Sequence, residues 1–360
     1  MLEIDLDAIA ANWCLLAARV APATCAGVVK ADAYGLGAAP VARALARSGC
    51  RVFFVALPGE GAVVREAVGD GPVVAVLGGY LHDAAALYAR HRLSPVLSTE
   101  DQLAAWPAMA GIVPAYVHVD TGINRLGLSA AAWRALCASG DGVARLGLAG
   151  VISHLACADE PGHPLNAAQS ASFRAHLDAM PARLPGSLAN SSGVFLGGDF
   201  HFDMVRPGAA LYGVNPTPGR PNPMRPVVRL RGRILQVRQI DRGEAVGYGA
   251  TFIAPAPRKL ATVAVGYADG LHRASSNRGR VFCNSHPTPI VGRVSMDMIT
   301  IDLTDVPRNS VQPGDSVDII GPHHDIDAAA ADAGTIGYEV LTGLGRRYRR
   351  RYRGTGATPQ

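Results

Sequence analysis

The chain has 360 residues, 49% hydrophobic and 18% charged, with a formal net charge of +5 and a pI near 9.0. That composition excludes a disordered chain and supplies apolar material for two domains, or for one large barrel with an addition. Apolar stretches break off well before the ~20 residues a membrane helix needs, and Met1–Asp7 carries acids where a signal peptide carries bases, so a cytoplasmic protein is expected.

Up to about residue 215, short β-branched or apolar runs alternate with Ala-rich segments of helical period. The strand candidates are 25–30, 51–56, 73–77, 95–97, 115–119, 148–153, 188–190 and 204–211. Helix candidates lie between them at 38–48, 81–90, 130–139 and 166–180, and Ser98 or Thr99 with Asp101 offers an N-terminal cap for another. This rhythm predicts an α/β fold, an N-terminal (β/α)8 TIM-like barrel, with a doubly wound open sheet as the alternative. The proline-rich stretch 215–226 ends the alternation, and domains of 1–220 and 221–360 are expected. Beyond it, 227–240, 259–265, 280–283, 289–303 and 316–320 read as strands between Gly, Pro and Asp turns, a mainly β domain.

Cys14, Cys25, Cys50, Cys137, Cys157 and Cys283 are scattered without metal-ligand spacing, so neither a zinc site nor a disulfide framework is expected. The positive excess concentrates in Arg346–Arg353, which reads as a solvated or inter-subunit tail rather than a nucleic-acid patch.

Only two of the 34 basic residues are lysines, and Lys30 ends the apolar run Val28-Val29-Lys30. An ammonium in such surroundings either snorkels to water or loses its charge and becomes a nucleophilic or basic amine. In a barrel, strand ends and the loops after them build the site. Lys30, Asp120 with Arg125, His154, Asn190-Ser191 and Arg206 all fall there. Singly, each is as readily a structural hydrogen-bonding residue; together they converge.

Five segments resemble the signature stretches of alanine racemases: Val28–Gly35, Asp120–Gly127, Arg206–Gly213, Val265–Gly270 and Gly292–Asp297, in the family's order. The resemblance implies a fold-type III enzyme with pyridoxal 5′-phosphate, a barrel followed by a β domain that contributes to the partner subunit's active site, and a homodimer. It implies that Lys30 forms the internal Schiff base and acts as base on one face of Cα, while Tyr267 of the other subunit serves the opposite face. His154 resembles the residue that hydrogen-bonds this tyrosine, and Asp297 lies in the adjoining segment. Arg206 would face the pyridine nitrogen; because a guanidinium only donates, the ring stays unprotonated and the carbanion short-lived, which favours racemisation over transamination.

By the same resemblance Tyr34, Asn190, Ser191, Tyr338 and amides near Gly208 and Ala209 hold the cofactor, largely through its phosphate. Arg125 and the Met296 amide take the substrate carboxylate, and Arg293, Asp159 and Tyr338 line the entrance. The chain departs from many relatives at His118, where a lysine, often carbamylated, is usual, and at Ser187, where a histidine supports the ring-facing arginine. The expected activity is interconversion of L- and D-alanine supplying peptidoglycan, with no nucleic-acid or membrane partner. The alternatives are a broad-specificity or serine-preferring racemase, a related decarboxylase, and a cofactor-carrying protein without turnover.

Overall fold

A computed structural model describes residues 1–106, 111, 113–307 and 310–355. The chain forms two compact units, one from Asp7–Arg225 and the other from Met1–Leu6 with Pro226–Gln360.

The first unit is built on one parallel sheet of nine ladder segments: Thr24–Cys25, Gly27–Val28, Val52–Val55, Val73–Val76, Ser94–Leu97, Ala115–His118, Leu148–Ile152, Gly186–Ser187 and Met204–Val205. The first two are halves of one strand, separated only by Ala26. Thr24–Cys25 pairs with Met204–Val205, while Gly27–Val28 pairs with Val52–Val55, so eight strands return on themselves in a barrel. Phe53–Val55 and Val74–Val76 are wholly buried, as expected of strands covered on both faces, which is why they read as unbroken apolar runs. Helices Leu6–Val20, Ala38–Arg47, Pro58–Val68, Ala130–Ala138 and Pro164–Asp178 follow the strands, and Trp133 and Phe173 pack against Val117, Val151 and Leu188. Thr99 caps the helix Glu100–Ala105 by accepting from the Gln102 amide.

Two expected strands are shorter than the sequence suggests. The ladder at the seventh position is Gly186–Ser187 rather than 188–190, although Arg206 N still donates to Ala189 O. The eighth stops at Val205, because Pro207 has no amide proton and Gly208 turns the chain into the 3-10 turn Ala209–Tyr212.

The second unit carries a mixed sheet around the long strand Val228–Ile240, which pairs antiparallel with Leu2–Asp5, Arg258–Ala264 and Ser316–Ile320. The domain expectation of 1–220 is corrected at its start: Leu2–Asp5 joins this sheet, between Val228–Ile240 and Arg350–Arg353. The strand read at 289–303 is two strands, His286–Pro289 and Ile299–Asp302, parted by a loop in which Ser295 N donates to Met298 O. The arginine run is not a solvated tail. Arg350–Arg353 is a strand parallel to Leu2–Asp5, and Arg353 and Arg231 both bond the buried Glu3 carboxylate, at 2.9 and 2.7 Å. A carboxylate taken out of water needs such partners.

Candidate active site

Lys30 stands where the first strand ends, with Val29 N donating to Phe54 O and Val28 N to Pro207 O. From Ala31 to Tyr34 the backbone is left-handed, with φ of 53 to 55°, costing roughly 1–2 kcal/mol per residue without compensation. Compensation is local. Asp32 Oδ1 accepts from Ala38 N at 2.7 Å, and Glu60 Oε1 accepts from Ala31 N at 2.7 Å while its Oε2 takes Ala56 N and Leu57 N at 2.8 and 3.1 Å. Sequence reasoning missed Glu60; its signal was a glutamate three residues after Leu57 at a helix start with Pro58, a capping pattern. Burial lowers the Lys30 ammonium's pKa, and the Arg125 and Arg206 charges lower it further, against an opposing pull from Glu60.

Arg206 is buried, and its Nη atoms donate to the carbonyls of Ser187 and Ser153 and to the Ser187 hydroxyl. Burial lowers its pKa to about 10, which still leaves it a cation at neutral pH. The Ser187 hydroxyl donates onward to Met204 O at 2.6 Å, so it is itself held in place as it accepts from the arginine. Two imidazoles share the cationic surroundings. Burial, then Arg206, Arg125, Lys30 and His118, push His154 down to about 3. Burial and Arg206, with a smaller push from Arg125 against Asp120, bring His118 down to about 4. Both are neutral at physiological pH. His118 Nε2 is buried with no hydrogen-bond partner among the described residues.

Arg125 rides a loop that Asp120 makes rigid. Oδ1 of Asp120 accepts from Gly122 N and Ile123 N at 2.9 and 3.0 Å, and Oδ2 from Asn124 N at 3.0 Å. The loop closes where Leu128 N donates to His118 O and Asp120 N to Leu128 O. Gly127, at φ 119°, is needed there because a Cβ would lie 2.8 Å from Asp120 N.

A cradle of donors lies beyond. The Ser191 hydroxyl accepts from Gly208 N at 3.0 Å and Ala210 N at 3.2 Å, and a Cβ on Gly208 would come within 2.3 Å of the Tyr34 hydroxyl. Tyr34 is backed by Tyr212, with ring centroids 4.7 Å apart, and Tyr212 is itself tied to Val28 O. Two hydroxyls and a run of amides, packed so closely that Tyr34 reaches Gly208 only because the glycine lacks a Cβ, fit an anionic phosphate. With a suppressed amine and a buried, donor-only guanidinium nearby, these residues fit pyridoxal 5′-phosphate. The Asn190 side-chain amide donates to Leu155 O and accepts from Gly193 N, which shapes the turn presenting Ser191.

The remaining candidates, Asp159 apart, belong to the second unit. Tyr267 opens the 3-10 turn Tyr267–Asp269 and is exposed, as are Met296, Asp297, Arg293 and Tyr338. Tyr267 N donates to Ser295 O at 3.1 Å and Ala268 N to Met296 O at 3.0 Å, so the tyrosine and the Met296 loop are held together. Asp297 pairs with Arg347 at 2.8 Å. Asp159, in the first unit, is exposed.

Comparison with known proteins matches residues 4–216 to the alanine racemase N-terminal domain and 227–352 to the alanine racemase C-terminal domain. A Rhodospirillum rubrum protein named alanine racemase is 50% identical over 362 residues, covering 98% of this chain and 96% of its own. A Mesorhizobium japonicum protein named catabolic alanine racemase is 47% identical, covering 98% and 93%. The crystal structure of alanine racemase from Bartonella henselae with covalently bound pyridoxal phosphate superposes with a TM-score of 0.93 at 41% identity, covering 98% of this chain and 99% of that one.

Proposed function

The chain belongs to the alanine racemase family, and from that premise we propose how its residues interconvert L- and D-alanine with pyridoxal 5′-phosphate. The observation that carries the assignment is the Lys30 amine, suppressed by burial and two arginines at the mouth of a barrel beside a cradle of phosphate donors.

Lys30 would hold the cofactor through its amine. Tyr34, Ser191 and the amides of Gly208 and Ala209 would take its phosphate, with Tyr338 as a further donor and Asn190 supporting the turn. Arg206 would donate to its ring nitrogen. When bound, the group supplies an electron sink that makes the Cα proton of alanine removable.

Everything else is done by the chain. Arg125 and the Met296 amide orient the substrate carboxylate so that Cα is presented edge-on to two acid/base groups. Once the substrate's own amine has displaced it from the cofactor, Lys30 would serve one face: its freed neutral amine takes the proton from Cα or, once charged, returns it. Inversion needs a proton on the opposite face, and Tyr267 supplies or accepts it through its hydroxyl. Neutral His154 accepts a hydrogen bond from that hydroxyl, and Asp297 fixes the loop beside it. Because Arg206 only donates hydrogen bonds and keeps its own proton, it would weaken the electron sink, which favours return of a proton to Cα.

Tyr267 reaches the barrel of a second copy, which makes the functional unit a homodimer. Supporting this, the second unit leaves Tyr267, Met296, Met298, Ile336 and Tyr338 exposed, an apolar set expected of a face that a partner covers. The role is supply of D-alanine for peptidoglycan in the cytoplasm; among the described residues no helix is long and apolar enough to cross a membrane.

The test is borohydride reduction of the purified protein, which should fix the cofactor to Lys30 and abolish racemisation. Lys30→Ala should lose both the chromophore and the activity. A chromophore fixed elsewhere, or retained by Lys30→Ala, overturns the assignment.

A further inference from the structure

The arginine run at 346–353 is the one sequence motif that the reaction leaves without a part, and its members divide by what they touch. Arg350–Arg353 completes a sheet, whereas Arg347 turns to the segments that carry Tyr267 and Met296. Its Nη1 lies 2.8 Å from Asp297 Oδ1, and its Nε lies 3.4 Å from Asp269 Oδ1. Asp269 closes the Tyr267 turn: its Oδ2 accepts from Gly266 N at 2.9 Å, and its carbonyl accepts from Gly345 N at 3.0 Å. Asp297 directly follows Met296.

The two segments meet backbone to backbone. A Cβ on Gly266 would fall 2.3 Å from Met296 O and 2.4 Å from Ser295 O, so there is no slack between them. Across this seam stand two carboxylates, one of them buried, with one guanidinium spanning both. A rigid planar fork sets the two carboxylates at a fixed angle, with Nε on Asp269 and Nη1 on Asp297, whereas an ammonium on a flexible stem holds them less firmly. Removing the guanidinium leaves the buried Asp269 uncompensated beside the turn.

We infer that Arg347 is a positioning residue for the reaction: by clamping Asp269 and Asp297 it sets the Tyr267 hydroxyl and the Met296 amide as one piece. This rests on the reading of Tyr267 as the acid/base of one face. Arg347 moves no proton itself; its contribution is the placement of the group that does.

The test measures solvent deuterium entering L-alanine and D-alanine separately, with kcat and KM, in holoenzyme carrying Tyr267→Phe, Arg347→Gln, Arg347→Lys or Asp297→Asn. Tyr267→Phe identifies the enantiomer whose exchange depends on the tyrosine. Arg347→Gln should slow exchange of that same enantiomer by about ten- to a hundred-fold, the loss that ~1 Å of misplacement produces, and should raise KM for alanine. Exchange of the other enantiomer should change far less. Arg347→Lys should recover part of the loss, and Asp297→Asn should repeat it at smaller size.

Equal slowing of both enantiomers in Arg347→Gln, or none, overturns the clamp while a one-sided Tyr267→Phe leaves the tyrosine reading standing. Equal loss from both in Tyr267→Phe overturns the tyrosine reading and the clamp with it. Should Arg347→Gln not fold, wild-type exchange in Asp297→Asn overturns the proposal.

Discussion

Glu60 accepts the amide proton of Ala31 at 2.7 Å, which ties the residue after Lys30 to the first turn of the next helix but one. The same carboxylate takes two amides from the end of the second strand, so a single side chain joins the first two strand ends of the barrel.

Glu60→Ala should therefore release the left-handed turn that presents Lys30. Three amides, one half-buried and two exposed, lose their acceptor, a cost of about 1 kcal/mol in unfolding experiments, and turnover should fall by about ten-fold or more because the turn that carries Lys30 is no longer fixed. The sign of its charge effect is separable. Glu60 raises the Lys30 pKa, so without it the amine loses its proton at still lower pH. The pH limb for cofactor attachment should move down in Glu60→Ala, and an upward move contradicts the electrostatic account.

Gly208→Ala tests the phosphate cradle. The added methyl would lie 2.3 Å from the Tyr34 hydroxyl, so the ring must shift away from the donors it completes. Overpacking of this kind costs about 1–3 kcal/mol, which corresponds to roughly ten- to a hundred-fold in cofactor Kd measured by fluorescence titration. Combining it with Tyr34→Phe removes the colliding oxygen and should recover some affinity relative to Gly208→Ala alone; no recovery argues that the clash is not the cause.

Ser187→Ala asks how much support Arg206 needs. The guanidinium keeps the Ser187 and Ser153 carbonyls and loses one hydroxyl acceptor, so stability should drop by only about 1 kcal/mol and racemisation should persist. Arg206→Lys cannot reach both carbonyls with one rigid fork, and it should cost more in both respects. Comparable activities in the two variants would show that the arginine's fixed geometry is dispensable.

His118 makes stability depend on pH. Its value in the folded protein, about 4, lies below the ordinary 6.5, so the unfolded chain binds the proton first as pH falls. The contribution is level above pH 6.5, declines below it, and stops declining beneath pH ~4. Between pH 6.5 and 5 His118 should account for a loss of about 2 kcal/mol in urea unfolding, beside a similar one from His154, and His118→Gln should reduce the slope by about half. An unchanged slope would move the titration to another group.

Much of the barrel was legible because its strands, covered on both faces, are apolar without interruption; Val52–Val55 and Val73–Val76 are within one residue of expectation at each end. The residues at the strand ends were legible too, since Lys30, Arg206 and Ser191 are polar groups where an apolar run stops. What escaped was pairing between distant parts of the chain. Leu2–Asp5 has no short-range partner, and the Arg350–Arg353 strand looks like a solvated charge run until Glu3 is set beside it. Glu60 escaped for a different reason: a glutamate near a helix start is ordinary, and nothing local reveals that it reaches the amide after Lys30.

The strand Leu2–Asp5 lies between a strand beginning at Val228 and one ending at Arg353, and this fixes an order of events in the cell. The apolar Leu2 and Ile4 must wait, uncovered, until the segments Val228–Ile240 and Arg350–Arg353 have been made. Cutting the chain at the proline-rich joint would therefore not yield two self-sufficient halves, because the later half would lack an interior strand. Joining the old ends and opening the chain at that joint would keep the six-residue segment with the sheet it completes.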